Sequence, residues 1–156
     1  MNPTAMLAGL YHDWRHPGGF GNPEIDKVNV ERAALKVLSL PRSILPDEIH
    51  KVDAADMIRA TVFPMSDEDI AALDIYGKAL RDADVWHMAM LNVEELLALQ
   101  ISLACEAGRT PHEQFKQNMG FVQNLPAHCP YAQRVADKSR KSLFKTFEAW
   151  AKDTSL

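Results

Sequence analysis

The sequence predicts an all-α protein, and three observations carry the prediction. Apolar residues recur at helical spacing along most of the chain, while strand-like alternation is nearly absent. Helix starts are announced repeatedly by a capping residue followed by acids, at Ser66-Asp67-Glu68-Asp69, Asn92-Val93-Glu94-Glu95 and Thr110-Pro111-His112-Glu113. Prolines stand between the periodic runs, at Pro41, Pro64 and Pro126, where they can end a helix without breaking one. With 156 residues the chain is long enough for one buried core, so residues 1–156 are read as a single multi-helix bundle.

Composition excludes several classes of function. A net charge of −4 and a pI near 5.8 argue against a nucleic-acid-binding surface, which needs clustered Lys and Arg. No apolar run approaches the roughly 20 residues that span a bilayer, and the first residues lack a basic segment leading into a signal-like core. The expected location is the cytoplasm, with neither nucleic acid nor membrane as partner. Cys105 and Cys129 make no disulfide framework. Cys105 is expected in the core as a small apolar residue, and the His128-Cys129 pair lacks the further ligands that zinc needs.

Each element follows from its own residues. A first helix is expected from Pro3 through His12-Asp13-Trp14-Arg15-His16, with Pro17-Gly18-Gly19 as its stop. On such a helix His16 lies on the face of His12, and both His12 and Asp13 reach an ion beside the axis. The competing reading is a simple His12–Asp13 hydrogen bond, with His16 placed favourably against the helix dipole. The Gly-rich loop from Gly18 to Pro23 lacks the strand-to-helix context of a phosphate cradle.

A second helix is expected from Asp26 to Leu40, its apolar side formed by Val28, Val30, Ala34, Leu35, Val37 and Leu38. A third opens at Pro46-Asp47-Glu48, carries Ile49, Val52, Ala55, Met57 and Ile58, and stops before Pro64. His50 on it reads as a surface or packing residue. Ser66 caps a fourth. In Leu80-Arg81-Asp82-Ala83-Asp84-Val85-Trp86-His87 two carboxylates stand two apart and point in different directions; they either pair with Arg81 or Lys78 or serve a site, and His87 lies at i+3 from Asp84. Further helices run from Asn92 to Ala107, ended by Gly108, and from the Thr110–Glu113 capping box through Gln117-Asn118-Met119-Gly120-Phe121-Val122. The last, from Tyr131 to Lys152, is amphipathic, with Val135, Leu143, Phe144, Phe147 and Trp150 among its basic residues.

His12-Asp13-Trp14-Arg15-His16-Pro17-Gly18 resembles the HD-x-x-HPG signature of the class I cyclic nucleotide phosphodiesterases, within the HD superfamily of metal-dependent phosphohydrolases. Further along, Asn29-Val30-Glu31-Arg32-Ala33 is similar to that family's Asn-x-Glu-x-Ala segment, and Ile58-Arg59-Ala60-Thr61 to its apolar-x-Ala-Thr segment. Ala83-Asp84-Val85 resembles the frame of the last metal ligand. Gly120-Phe121-Val122 resembles the end of Gln-x-Gly-Phe-Ile, with Asn118 at the place of the glutamine.

The resemblance implies an HD-type bundle in which His12, Asp13 and Asp84 hold a divalent ion: zinc, manganese or iron. Asp13 would also touch a second ion, magnesium or manganese. The expected function is hydrolysis of a phosphodiester, in a cyclic or other nucleotide or a small-molecule phosphoester, by a metal-activated hydroxide. His16 and Glu31 are the expected water-orienting groups, and Asn118 and Phe121 the substrate-binding ones. From the residues alone, Glu31 is equally a solvated charge near Arg32, and Phe121 a core residue. The family draws a further histidine ligand and its general-acid histidine from a helix upstream, whereas eleven residues precede His12 and none is histidine. The chain is therefore expected to be N-terminally incomplete, to use another histidine, or to keep the fold without the chemistry. The alternatives to an enzyme are a silent nucleotide-binding module or a homo-oligomeric scaffold with Phe147 and Trp150 at its interface.

Overall fold

The computed structural model describes residues 2–16 and 22–153. Pro17 and Gly18 of the heptapeptide, and the expected Pro17-Gly18-Gly19 stop, lie outside the described residues. The described chain is all-α, with eight α-helices, two short 3-10 turns and no strand. It divides into two compact units, Met1–Asp84 and Val85–Leu156. No single described helix is long and apolar enough to cross a membrane.

The first unit is built on α1 (Pro3–Tyr11), α2 (Pro23–Leu38) and α3 (Lys51–Arg59). Ala8 of α1, Val30, Ala33, Ala34 and Val37 of α2, and Ala54, Ala55, Met57 and Ile58 of α3 form its core. The abundance of alanine lets the three helices approach closely. Val28 and Leu35, expected on the apolar side of α2, are instead exposed, and so is Val52 of α3. The buried stripe of α2 runs through residues 30, 33, 34 and 37, and positions 28 and 35 fall off it.

Several boundaries differ from expectation. The first helix ends at Tyr11, with His12 as its C-cap, so Asp13 and His16 are not helical. The Trp14 N–H donates to the Tyr11 carbonyl (2.9 Å), the His16 N–H donates to the Asp13 carbonyl (3.1 Å), and Arg15 takes a left-handed φ of 54°. The second helix starts at Pro23 because the Asn22 side chain accepts from Glu24 and Ile25, with proline at the first helical position. The third does not open at Pro46. Arg42 draws the 47–49 backbone into a turn, donating to the Asp47 (2.7 Å) and Ile49 carbonyls. Helix begins at Lys51, whose ammonium donates to the Leu38 and Leu40 carbonyls at the end of α2 (2.8 and 2.9 Å). His50 is exposed and its N–H donates to Thr4 Oγ1 (3.1 Å), tying α3 to α1.

Ser66 caps α4 (Asp67–Ala72) as expected, accepting from Asp69 N–H. Next comes α5 (Ile75–Trp86), which lies close to the end of α3: a Cβ at Gly77 would stand 3.2 Å from that of Ala60. Arg81 fastens the two. Its buried guanidinium donates to the carbonyls of Ala60 (3.0 Å) and Val62 (2.7 Å) and lies 5.7 Å from the Phe63 ring.

The second unit comprises α6 (Val93–Glu106), α7 (Pro111–Asn124) and α8 (Pro130–Lys152), preceded by a 3-10 turn at His87–Met90. The expected Thr110–Glu113 capping box forms, the expected Asn92 cap is completed into a second box by Glu95, and Gly108 takes the left-handed φ of 64° that ends α6. Cys105 is exposed rather than in the core, while Cys129 is buried and caps α8. Phe147, offered by the sequence as an interface residue, is wholly buried. It packs on Trp150 (5.8 Å), whose ring also meets Phe115 (5.3 Å). Arg140 closes the end of α7, donating to the Val122, Gln123 and Leu125 carbonyls while lying over Trp86.

Candidate metal centre

His12 is held by the end of its own helix. The last carbonyls of an α-helix lack intrahelical partners, and the His12 imidazole takes one of them, with Nδ1 2.8 Å from the Gly9 oxygen. A proton on Nδ1 donated to that carbonyl leaves Nε2 as the nitrogen that could ligate an ion, the usual way a protein fixes the tautomer of a metal-binding histidine. Nε2 faces two carboxylates, Asp13 Oδ2 at 3.2 Å and Asp84 Oδ1 at 3.3 Å. The three residues come from the turn after α1 and the last turn of α5, and their ligand atoms lie within 4.8 Å of one another.

Without an ion, those carboxylates stabilise the protonated imidazole. Hydrogen bonding to Asp13, then to Asp84, raises the His12 pKa from 6.5 to about 10 against the opposing cost of burial. The donor set suits a divalent ion. One imidazole and two carboxylates are borderline and hard ligands, and three protein ligands with an open position are the usual number at a catalytic zinc. Among the described residues no further His, Cys, Asp or Glu joins the group, so the one cluster matches a single ion.

The remaining expected site residues take other partners. The His16 Nε2 lies 4.0 Å from Asp26 Oδ1, and the other oxygen of Asp26 accepts from the Phe63 N–H (2.7 Å). Glu31 faces Arg59 rather than Arg32. Both of its oxygens are engaged in a two-pronged pair (2.9 and 2.8 Å), and that pairing lowers the Glu31 pKa. His87 is exposed, in the 3-10 turn. In the second unit Asn118 is buried; its amide donates to the Gln100 carbonyl oxygen and its own oxygen accepts from Gln114 (3.4 Å). Phe121 is half-buried on α7.

Two neighbouring residues support the centre. Asp82, which the sequence left as a pairing or a site carboxylate, is almost wholly buried, 1% exposed. Arg81 is a buried cation whose pKa burial pushes down while Asp84, Asp82 and Asp26 pull it up. The signal was present in Arg81-Asp82-Ala83-Asp84, where an arginine among apolar helical neighbours needs a polar partner inside.

Set against family models, curated proteins and solved structures, the chain matches none.

Proposed function

We propose that the chain is an HD-type metal-dependent phosphohydrolase acting on phosphodiesters of nucleotides or related small molecules. The observation that carries this reading is the convergence of the adjacent His12 and Asp13 with Asp84, distant from them in sequence, with the His12 Nδ1 held by the Gly9 carbonyl. A divalent ion bound there would supply Lewis-acid polarisation of a phosphoryl oxygen and a nucleophile at neutral pH. The chain's own residues do the rest. Gly9 orients His12, Arg81 fixes the helix that presents Asp84, and His16, beside Asp26, would orient the attacking water. A second ion would rest on Asp13.

The test is hydrolysis of bis(p-nitrophenyl) phosphate and cyclic AMP by the purified chain supplied with zinc, manganese and magnesium. Turnover abolished by Asp84→Ala is expected. Equal rates for the chain and Asp84→Ala with every metal refute the proposal.

One observation favours a second reading, a catalytically silent module. A protonated His12 between two carboxylates is an ion-pair cluster that needs no metal. On that reading chelators leave the melting temperature unchanged; on the metal reading they lower it.

A further inference from the structure

Beside the His12 cluster the first unit gathers two cations around one indole and a third next to them. Trp14 directly follows Asp13, and its half-buried ring has the Arg15 guanidinium 5.7 Å from its centroid and the Lys36 ammonium 5.2 Å from it. Arg32, one helical turn before Lys36 on α2, is joined to them by a hydrogen bond from Nη1 to the Arg15 carbonyl (3.4 Å). Arg15 is a non-glycine residue in the left-handed region, so the chain turns sharply between Asp13 and His16. Since consecutive Cα atoms are about 3.8 Å apart, the Arg15 Cα lies within roughly 7.6 Å of that of Asp13.

Among the described residues none of these cations is ion-paired with an acid. Three basic side chains elsewhere make ion pairs: Arg42 with Asp47, Arg59 with Glu31 and Asp56, and Lys152 with Glu148. Arg15, Arg32 and Lys36 pair with no carboxylate among the described residues, in a chain with 21 acidic and 17 basic residues. Like charges gathered without counter-charge repel one another, and an anion removes that repulsion. Contact with the Trp14 face leaves both flanking cations charged, and Arg32 retains further donors in its planar fork.

We propose that Arg15, Arg32 and Lys36 bind a second phosphate of the substrate, so that the preferred substrates are nucleotides carrying at least two phosphate groups rather than one. The inference rests on the phosphohydrolase reading for the placement of the first phosphate at His12, Asp13 and Asp84. The cationic rim then selects by charge at a distance from the reacting phosphorus, and Trp14 shields one side of it from water.

Calorimetric titration of the full chain tests this. Manganese is titrated first, followed by AMP, ADP and adenosine 3′,5′-bisphosphate on the manganese-saturated protein. Both two-phosphate probes are expected to bind at least about tenfold tighter than AMP, and Arg32→Gln/Lys36→Gln is expected to reduce the preference to within about twofold. The single Arg32→Gln change, at an exposed side chain, should cut it about threefold and serves if the double variant does not fold. If manganese does not bind, the phosphohydrolase reading fails separately. The rim is then judged on the metal-free chain, where the double variant must weaken ADP binding at least about fivefold. Equal affinity for AMP and the two-phosphate probes, or a preference that Arg32→Gln leaves undiminished, overturns the proposal. So does tighter binding of a twelve-nucleotide oligouridylate than of either probe, which would assign the cations to RNA.

Discussion

Replacing Arg81 by methionine keeps the aliphatic stem and removes the guanidinium that joins α5 to the end of α3. Two carbonyls, those of Ala60 and Val62, lose their donor at 3.0 and 2.7 Å, and the buried Asp82 loses the cation beside it. A hydrogen bond from a charged donor contributes about 1.5–3 kcal/mol, so the pair is worth ~3–6 kcal/mol. Burial of the charge works against it, as the lowered Arg81 pKa records. Each buried acceptor left without its donor typically costs about 1–3 kcal/mol. The expected loss is therefore about 3–4 kcal/mol, a large share of a domain's stability. Urea unfolding followed by far-ultraviolet circular dichroism measures it. Asp84 stands one helical turn beyond Arg81, so the variant should also bind metal more weakly than the wild type when both are folded. A loss below about 1 kcal/mol would refute the clamp and, with it, the account of how Asp84 is held against His12.

Two other perturbations give distinct outcomes. In the metal-free chain the His12 pKa is raised from 6.5 to about 10; a group raised on folding stabilises fully below its unfolded value and loses that stabilisation as pH rises through its folded value. Stability relative to His12→Gln should therefore fall between pH 6.5 and 10 in chelator, as followed by thermal melts, and an unchanged difference across that window contradicts the His12–carboxylate geometry. Glu31 is lowered by Arg59, the opposite sign, so its contribution is present above pH 4.5 and fades as pH falls further. Because both side chains are more than a third exposed, Glu31→Gln should cost only about 0.5 kcal/mol at pH 7. A large drop in hydrolysis with that small cost would assign Glu31 to the reaction rather than to the surface of α2.

What the sequence made legible was local chemistry. The caps at Ser66, Asn92 and Thr110 act within three residues of themselves, and each forms as read. Boundaries set from a distance were not legible. Nothing near Pro46 announces that Arg42 will bond the 47–49 backbone, or that Lys51 will reach back to close α2. The same limit applies to the site. His12, Asp13 and Asp84 converge, yet they do so because the first helix stops at Tyr11, whereas the sequence suggested one helical face carrying His12 and His16. The Gly9 carbonyl, Asp26 and Arg59 give no signal in periodicity, since their partners are fixed by packing. Cys105 and Val52 mark a further limit: an apolar residue in a helical run identifies the helix more reliably than its buried face.

The most direct measurement is metal content by elemental mass spectrometry on the purified chain, alongside Asp13→Ala and Asp84→Ala, after exposure to zinc, manganese and magnesium. The account predicts about one tightly held ion per chain in the wild type, matching one imidazole and two carboxylates, and its loss in both variants. A wild type that retains no ion under these conditions, or an Asp84→Ala variant that retains as much as the wild type, contradicts it.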